Sequence, residues 1–122
     1  MSRFVELRSY NLHRGSGPAF HSLVLEKSLP LLRKWGVDVV AAGPSLHDQD
    51  SYFLIRAYDS LEHRQRSQDE FYGSADWRQG PREAIIALID SDTSVVVELS
   101  DASLAALRTS LASSQANAKD KG

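Results

Sequence analysis

The feature that most constrains the fold is the regular alternation of side chains along residues 3–12. In this segment, RFVELRSYNL, Val5 and Leu7 point to one side of an extended backbone, whereas Glu6 and Arg8 point to the other. A period of two sustained over that length predicts a β-strand. The chain therefore begins with a strand, and the fold class depends on the order of the elements that follow it.

The elements after this strand alternate between helical and extended patterns. Turn residues at 14–18 precede a helix that ends at Gly36, and Pro30 predicts a kink or a division within it. A second helical region begins at Asp59, where an acceptor followed three residues later by Glu62 is a capping-box signature, and this region divides in two. In chain order we predict a strand over 3–12, a helix over 18–35, strands over 37–42 and 52–58, a helix over 59–72, a helix restarting at 80–81, a turn over 90–92 and a strand over 93–99.

This β-α-β-β-α-β order predicts the α+β class. The economical arrangement is a four-stranded antiparallel sheet with helices on one face, the ferredoxin-like βαββαβ fold. We assign residues 1–100 to this domain. The leucine spacing that follows predicts a C-terminal helix over 101–113, and residues 114–122 are expected to form a flexible tail.

The helices can cover one face of such a sheet, and the other face then needs a partner. The more apolar row is the candidate for the helix-covered side, and it consists of Val5, Leu7, Phe53, Ile55 and Ala57. The opposite row is too aromatic for a surface exposed to water and too charged for a core; it holds Phe4, Glu6, Arg8, Tyr10, Tyr52, Leu54, Arg56 and Tyr58. A second copy of the sheet packed on this row, with Arg8 or Arg56 paired to a glutamate, forms a homodimeric α+β barrel. The alternative is a half-polar sheet that faces water.

Composition excludes several classes of function. The 122 residues carry a formal net charge of −2, so no electrostatic case exists for nucleic acid or an anionic membrane surface. No cysteine is present, which excludes thiol nucleophiles and cysteine-based metal sites and fits a cytoplasmic location. No apolar run reaches the roughly 20 residues that a membrane span needs. The four histidines show no metal-ligand spacing, so we expect no metal and no cofactor.

His21 is the candidate catalytic residue. On a helical wheel it falls, together with Ser28, inside an apolar arc whose members are Phe20, Val24, Leu25, Leu32 and Trp35. Polar side chains in such a stripe need hydrogen-bond partners or a cavity. One interpretation is a histidine satisfied within the core, and the other is a pocket between this helix and the sheet.

Two further groups are candidates for lining a ligand pocket. Arg8 and Arg56 lie on strands expected to be neighbours, with Tyr10 and Tyr58 two residues beyond them. Such a cluster suits a carboxylate or an enolate, which an arginine binds through two parallel hydrogen bonds, or it forms salt bridges in a dimer interface. Trp77, together with Phe71 and Tyr72, is either the wall of a ligand pocket or a lid packed over the core.

Four segments resemble segments of the NIPSNAP family, and they follow one another in the same order along the chain. They are Val5-Glu-Leu-Arg-Ser-Tyr10, Leu29-Pro-Leu-Leu-Arg33 followed by Gly36, Ala57-Tyr-Asp-Ser-Leu-Glu-His-Arg64, and Ser74-Ala-Asp-Trp77. The resemblance covers about residues 4–99 and implies the dimeric α+β-barrel, ferredoxin-like fold. It implies little about chemistry, because the family's biochemical role is poorly defined. The chain departs from the family at residues 43–50. The family commonly has a Gly followed shortly by an Asn there, whereas this segment contains Gly43 but no Asn.

These observations lead to three functional hypotheses. The first is a cytoplasmic, NIPSNAP-like homodimer that binds a small organic ligand between its helices and its sheet. The second is a cofactor-free monooxygenase or isomerase acting on a small aromatic or keto-acid substrate, with His21 as the proton carrier and Arg8 or Arg56 stabilising an anion. The third is a structural interaction module without a pocket.

Overall fold

The computed structural model describes the backbone of residues 1–121 and the side chains of residues 1–112. Its elements follow the predicted order, with a π-helical turn inside the first helical region and a division of the second region into three helices. In chain order they are β1 (Ser2–Leu12), α1 (Gly17–Leu23), the π-helical turn (Val24–Ser28), α2 (Leu29–Lys34), β2 (Asp38–Pro44), β3 (Ser51–Tyr58), α3 (Leu61–Gly73), α4 (Ala75–Arg78), α5 (Arg82–Ile86), β4 (Ile89–Ser100) and α6 (Asp101–Lys121).

The four strands form one antiparallel sheet in the order β2-β3-β1-β4. With helices packed on it, this sheet confirms the predicted ferredoxin-like α+β fold. The turn predicted over 90–92 is wrong, because these residues belong to β4. The long β1 strand continues far enough to pair Tyr10 with Asp92 and Asn11 with Ser91, so the polar residues are held in the sheet.

The break predicted at Pro30 takes the form of the π-helical turn directly before it. Pro30 lies in the first turn of α2, where the missing N–H of a proline is tolerated. Gly36 ends the region as predicted, with a φ of +73° that side chains other than glycine rarely adopt.

The π-helical turn also changes which side chains are buried. Ser28 and Leu29 are adjacent in sequence and both buried, whereas Leu25 is 51% and Trp35 is 40% exposed. The helical wheel assumes about 3.6 residues per turn, and the wider π turn shifts every later residue around the axis. The prediction that Leu25 and Trp35 lie in the buried arc was therefore wrong.

α3 begins one residue later than the capping signature predicted. Ser60 is the N-cap, and its Oγ accepts a hydrogen bond from the His63 N–H at 2.9 Å. His63 Nδ1 accepts the Asp59 N–H at 3.0 Å, a bond that resembles the reciprocal bond of a capping box but is made to the residue before the N-cap. His63 therefore has a structural role at the start of this helix.

The structure reverses the predicted assignment of the two sheet faces. The helices α1–α5 cover the row that was expected to meet a second copy, which we call the inner face; its buried members are Glu6, Tyr10, Leu12, Tyr52, Leu54, Arg56 and Tyr58. The apolar row expected under the helices forms the opposite, outer face; it holds Val5, Leu7, Phe53, Ile55 and Ala57, together with Val95 and Val97 of β4. The inner row can be buried because Glu6 and Arg56 neutralise each other within one chain.

α6 covers part of the outer face. Leu104 is buried in a second apolar cluster with Val5, Ile55 and Ala57. Leu7, Val95 and Val97 remain 40%, 57% and 36% exposed beyond the helix.

α6 is longer than the helix predicted over 101–113. Ser100 Oγ accepts the Ser103 N–H at 3.1 Å and caps the helix start. The backbone continues as a helix to Lys121. Mobility is predicted for residues 114–122. The side chains of residues 114–121 and the whole of residue 122 lie outside the described part of the chain.

Candidate functional site

A network of charged side chains lies buried between the sheet and α3. Glu6 of β1 and Arg56 of β3 are register partners with 0% and 1% of their side chains exposed. Arg56 donates to Glu6 Oε1 through Nε at 2.9 Å and also through Nη2. From α3, Arg64 Nε and Gln68 Nε2 donate to Glu6 Oε2 at 2.8 and 2.9 Å. Both carboxylate oxygens of Glu6 thus accept hydrogen bonds.

Glu6 stays ionised despite its burial. Desolvation by itself raises the pKa of Glu6, but the Arg56 charge and the hydrogen bonds from Gln68 and Arg64 outweigh it. The pKa of Glu6 therefore lies below its ordinary value. The network fastens α3 to two neighbouring strands of the sheet.

The arginines predicted for a dimer interface have partners within the same chain. Arg56 pairs with Glu6 beneath α3, so the prediction that Arg56 makes a salt bridge between two copies is wrong. Arg8 donates to Asp92 at 3.0 Å, and its guanidinium lies 5.4 Å from the centre of the Tyr10 ring. One donor of Arg8, Nε, is buried without a hydrogen-bond partner among the described atoms.

A small cavity lies between the first helical region, α4–α5 and the inner face of the sheet. Its volume is about 40 Å³, and its apolar lining includes Phe20, Leu54 and Trp77. A water molecule needs about 10–15 Å³ of comparable volume, so this space holds a few waters or a few ligand atoms. A small cavity therefore lies at the place where the sequence predicts a pocket between helix and sheet.

The polar residues that line the cavity all carry hydroxyl groups. Tyr10, Tyr52, Tyr72 and Ser28 all line it. Burial raises the pKa of Tyr10 and of Tyr52, so both keep their protons near neutral pH and can donate hydrogen bonds. Tyr72 Oη accepts a hydrogen bond from Arg56 Nη1 at 2.9 Å, which leaves the Tyr72 proton for another acceptor.

His21 does not line the cavity itself but is hydrogen-bonded to a tyrosine that does. Its Nδ1 lies 2.6 Å from the hydroxyl oxygen of Tyr52, which is one of the lining residues. Burial lowers the pKa of His21, so the imidazole is neutral near pH 7, and we assign the Tyr52 hydroxyl as the donor and Nδ1 as the acceptor. The pair connects the half-exposed imidazole with the cavity interior.

Trp77 forms one wall of the cavity from the short helix α4. The neighbouring Asp76 accepts hydrogen bonds from Lys34 Nζ at 2.9 Å and from Trp35 Nε1 at 3.1 Å. These two bonds lower the pKa of Asp76 and connect α4 to the end of the first helical region. One carboxylate thereby helps to hold this wall in place.

The structure brings together only some of the residues predicted for a pocket. Tyr10 and Trp77 line the cavity, and His21 is one hydrogen bond away from it. The remaining candidates, Arg8, Arg56 and Tyr58, are not among the lining residues. Arg56 acts on the cavity through Tyr72, whereas Tyr58 packs edge-on against His63 at a ring separation of 5.6 Å.

One residue of the polar wall, Tyr52, is not assigned this role from the sequence. A signal exists for Tyr52, because it stands on the same alternating row as Tyr10, and the two are register partners across β1 and β3. Tyr72 and Phe71, which the sequence groups with Trp77 as a pocket wall or a lid over the core, both line the cavity.

Among the residues with described side chains, no group of three or more His, Asp or Glu residues is arranged to hold a metal ion. No helix within the described residues is long and apolar enough to cross a membrane.

Solved structures of NIPSNAP proteins share this fold. An uncharacterised NIPSNAP domain protein from Burkholderia xenovorans is 19% identical over 77% of this chain and 91% of its own, with a TM-score of 0.70. A NIPSNAP family protein of unknown function from Agrobacterium tumefaciens is 20% identical over 80% of this chain and 88% of its own, with a TM-score of 0.73. These likenesses confirm the ferredoxin-like α+β fold that the NIPSNAP resemblance implies for one chain.

A second kind of protein has a related fold at lower similarity. A Nitrosomonas europaea protein, described as a candidate antibiotic biosynthesis monooxygenase, is 14% identical over 77% of this chain and 95% of its own, with a TM-score of 0.59. The sequence matches no family model and no curated protein. The chain thus has the ferredoxin-like fold of NIPSNAP proteins, and its chemistry must be inferred from its own residues.

Replacing Glu6 should show how strongly the buried network holds the fold. Glu6→Gln leaves Arg56 buried without a counter-charge, and we expect a loss of about 3–5 kcal/mol in the free energy of unfolding, measured by urea denaturation. Asp59→Asn is the control, because Asp59 pairs with Arg3 at an exposed position and its loss should change stability little. Equal stability of the two variants would show that the network is not a main support.

Proposed function

We propose that this chain is a NIPSNAP-like protein that binds a small organic molecule in the cavity between its helices and its sheet. The observation that carries the proposal is that four residues with hydroxyl groups, Tyr10, Tyr52, Tyr72 and Ser28, line an otherwise apolar cavity. Small-molecule sites commonly combine apolar walls with a few convergent polar groups. Because the chain lacks cysteine, we place this function in the cytoplasm as part of the same proposal.

The same hydroxyls indicate what the ligand presents. Tyr52 donates its proton to His21, but the Tyr10 and Tyr72 hydroxyls are free to donate, so an oxygen of the ligand, from a carbonyl, an enol or a carboxylate, is the group they suit. The Arg56 guanidinium behind Tyr72 polarises that hydroxyl and favours a partly negative oxygen. The remaining atoms of the ligand are apolar or aromatic, since they contact Phe20, Leu54 and Trp77.

A ligand larger than a few atoms requires the cavity to widen. The wall formed by α4 and α5 is the element most suited to move, because both are short helices. Asp76 helps to hold that wall by accepting hydrogen bonds from Lys34 and Trp35. The side chains of Lys34 and Asp76 are partly exposed to solvent. Exposed bonds of this kind contribute little to stability, so their opening demands little free energy.

Filling the cavity should separate ligand binding from a purely structural role. Val24→Leu adds one methylene to the cavity wall, and the purified protein should lose a bound organic mass that the wild type carries in native mass spectrometry. Thermal stability should stay equal or rise, because the added group fills space.

The matched control for this experiment is Val95→Leu, which adds the same methylene at a position that is 57% exposed on the outer face. This variant should retain the bound mass. A wild type without any bound mass, together with a stabilised Val24→Leu, would favour the hypothesis of an interaction module without a pocket.

The hydrogen bond between His21 and Tyr52 favours a second candidate function, a cofactor-free monooxygenase or isomerase. A neutral imidazole can accept a proton that Tyr52 passes on from a ligand in the cavity. Tyr72, supported by Arg56, would stabilise the resulting oxyanion. In this function Arg56 acts through a tyrosine, and Arg8 lies outside the cavity lining.

Activity in this second function should depend on pH through His21. Protonated His21 cannot accept a proton, so turnover of small phenols, followed as oxygen uptake, or of small keto acids, followed as isomerisation, should fall as the pH drops below the pKa of His21. His21→Gln should reduce turnover by about 10²–10⁴-fold at pH 7.5, the range typical of a lost general base.

The fold should respond to pH with the same sign. Because burial lowers the pKa of His21, the unfolded chain binds more protons than the folded one below the ordinary histidine value of about 6.5. The contribution of His21 to the free energy of unfolding is therefore complete above a pH of about 6.5 and is lost as the pH falls from there through the lower pKa of the folded state.

The control for the turnover experiment is His47→Gln, which lies in an exposed loop. If His47→Gln and His21→Gln alter turnover equally, His21 has no catalytic role.

We propose in addition that the chain forms a homodimer through the outer face of the sheet. The partly exposed Leu7, Val95 and Val97 support this proposal, since they form an apolar patch on adjacent strands. This patch lies on the sheet face opposite to the one predicted from the sequence.

A charge within that patch should dissociate the dimer. Val95→Asp places a carboxylate where two copies would meet, and the dissociation constant in sedimentation equilibrium should rise at least about tenfold. Ser22→Asp, at an exposed position on α1, introduces the same charge away from the sheet and should leave association unchanged. An unaffected Val95→Asp dimer would exclude this face as the interface.

A further inference from the structure

α6 occupies the face of the sheet that the proposed dimer needs. It packs Leu104 into the cluster of Val5, Ile55 and Ala57, and it reaches as far as β2, where Arg108 forms an ion pair with Asp38 at 2.6 Å. The helix therefore crosses the outer face and shields its β2 side. Among the described apolar side chains of the outer face, Leu7, Val95 and Val97 stay the most exposed and mark its open part.

The open part is too small to hold two copies together. Each partner in a stable protein interface buries roughly 800 Å², and three side chains that are 36–57% exposed supply only a fraction of that area. The apolar area that could complete the interface lies beneath α6. A dimer formed through this face must therefore either include α6 or displace it.

The side of α6 that faces solvent is poorly suited to be part of an interface. Its exposed residues are small or polar, namely Ala102, Ser103, Ala105, Ala106, Thr109 and Ser110. Stable interfaces are centred on large apolar or aromatic side chains that fill pockets, and alanine and serine are depleted in them. The large side chains of α6, Leu104, Leu107 and Leu111, instead belong to the cluster on the sheet.

The attachment of α6 to the sheet is modest. Leu104 is its one fully buried side chain among residues 101–112, and Leu107 and Leu111 are half-buried. The Arg108–Asp38 ion pair is about one-third exposed on each side, so solvent screens it. An attachment of this strength can be displaced by a larger apolar surface.

We propose that α6 is a detachable cover that competes with a second copy of this chain for the outer face of the sheet. With α6 docked, the chain is a monomer; when two copies associate, α6 leaves the sheet and the two outer faces pack directly. This inference rests on the proposed homodimer and adds its regulation. Conditions that loosen α6 then favour the dimer.

The test measures the dimer dissociation constant of full-length variants by sedimentation equilibrium. Leu104→Asp makes docking of α6 unfavourable, and the dimer should tighten at least about tenfold. Arg108→Ala removes only the exposed ion pair and should tighten the dimer by about two- to fivefold. Ala106→Asp puts the same charge on the solvent side of α6 and should change nothing.

Hydrogen exchange supplies a second readout that does not depend on any variant. Most of the stability of a helix in a protein comes from its packing, so α6 loses protection when it leaves the sheet. The amides of residues 104–112 should therefore exchange faster as wild-type concentration, and with it the dimer fraction, rises. Circular dichroism of Leu104→Asp checks that the sheet remains folded. If the sheet of this variant unfolds, the dimer dissociation constant of Arg108→Ala and the hydrogen exchange of the wild type test the proposal instead.

The outcomes separate this inference from the dimer on which it rests. A weaker or unchanged dimer in Leu104→Asp and Arg108→Ala, with Val95→Asp still dissociating it, would overturn the role of α6 and leave the dimer standing. Failure of the wild type and every variant to associate at millimolar concentration would overturn both proposals. A tighter dimer in Ala106→Asp as well would attribute the effect to added charge and also overturn the inference.

Discussion

The ion pair between Glu6 and Arg56 is the interaction on which the rest of the structure depends. An unpaired charge at either position would carry a penalty of several kcal/mol in the interior, and the register of β1 and β3 places each opposite the other. Arg64 and Gln68 complete the hydrogen bonding of Glu6 from α3, so the helix can settle on this face only in one position. The pair thereby decides which side of the sheet the helices cover.

The cavity follows from the same arrangement. Along β1 and β3 the inner face changes from charged residues at Glu6 and Arg56 to aromatic ones at Tyr10 and Tyr52, which are again register partners. Tyr72 links the two regions, since it lines the cavity and accepts a hydrogen bond from Arg56. A structural ion network and a hydroxyl-lined cavity thus share one side chain, and a change in the network should be felt in the cavity.

Sequence reasoning was accurate where a local period sets the outcome and wrong where packing does. The alternation of β1 and the stop at Gly36 depend on neighbouring residues alone, and both were predicted. The exposure of Leu25 and Trp35 was mispredicted, because a π-helical turn changes the period in a way that composition does not reveal. His21 was selected correctly as a polar residue needing a partner, but the partner, Tyr52, is 31 residues away.

The sequence by itself determined the order of strands and helices, the ferredoxin-like class and the sets of side chains that share a sheet face, because alternation and turn chemistry are local. Only the tertiary structure decided which of the two faces the helices cover. Both rows are rich in large side chains, and hydrophobicity alone favours the row of Val5 and Leu7. Burying the charged row becomes favourable once Glu6, Arg56 and α3 neutralise and hydrogen-bond one another, and that depends on contacts between residues as many as 62 positions apart.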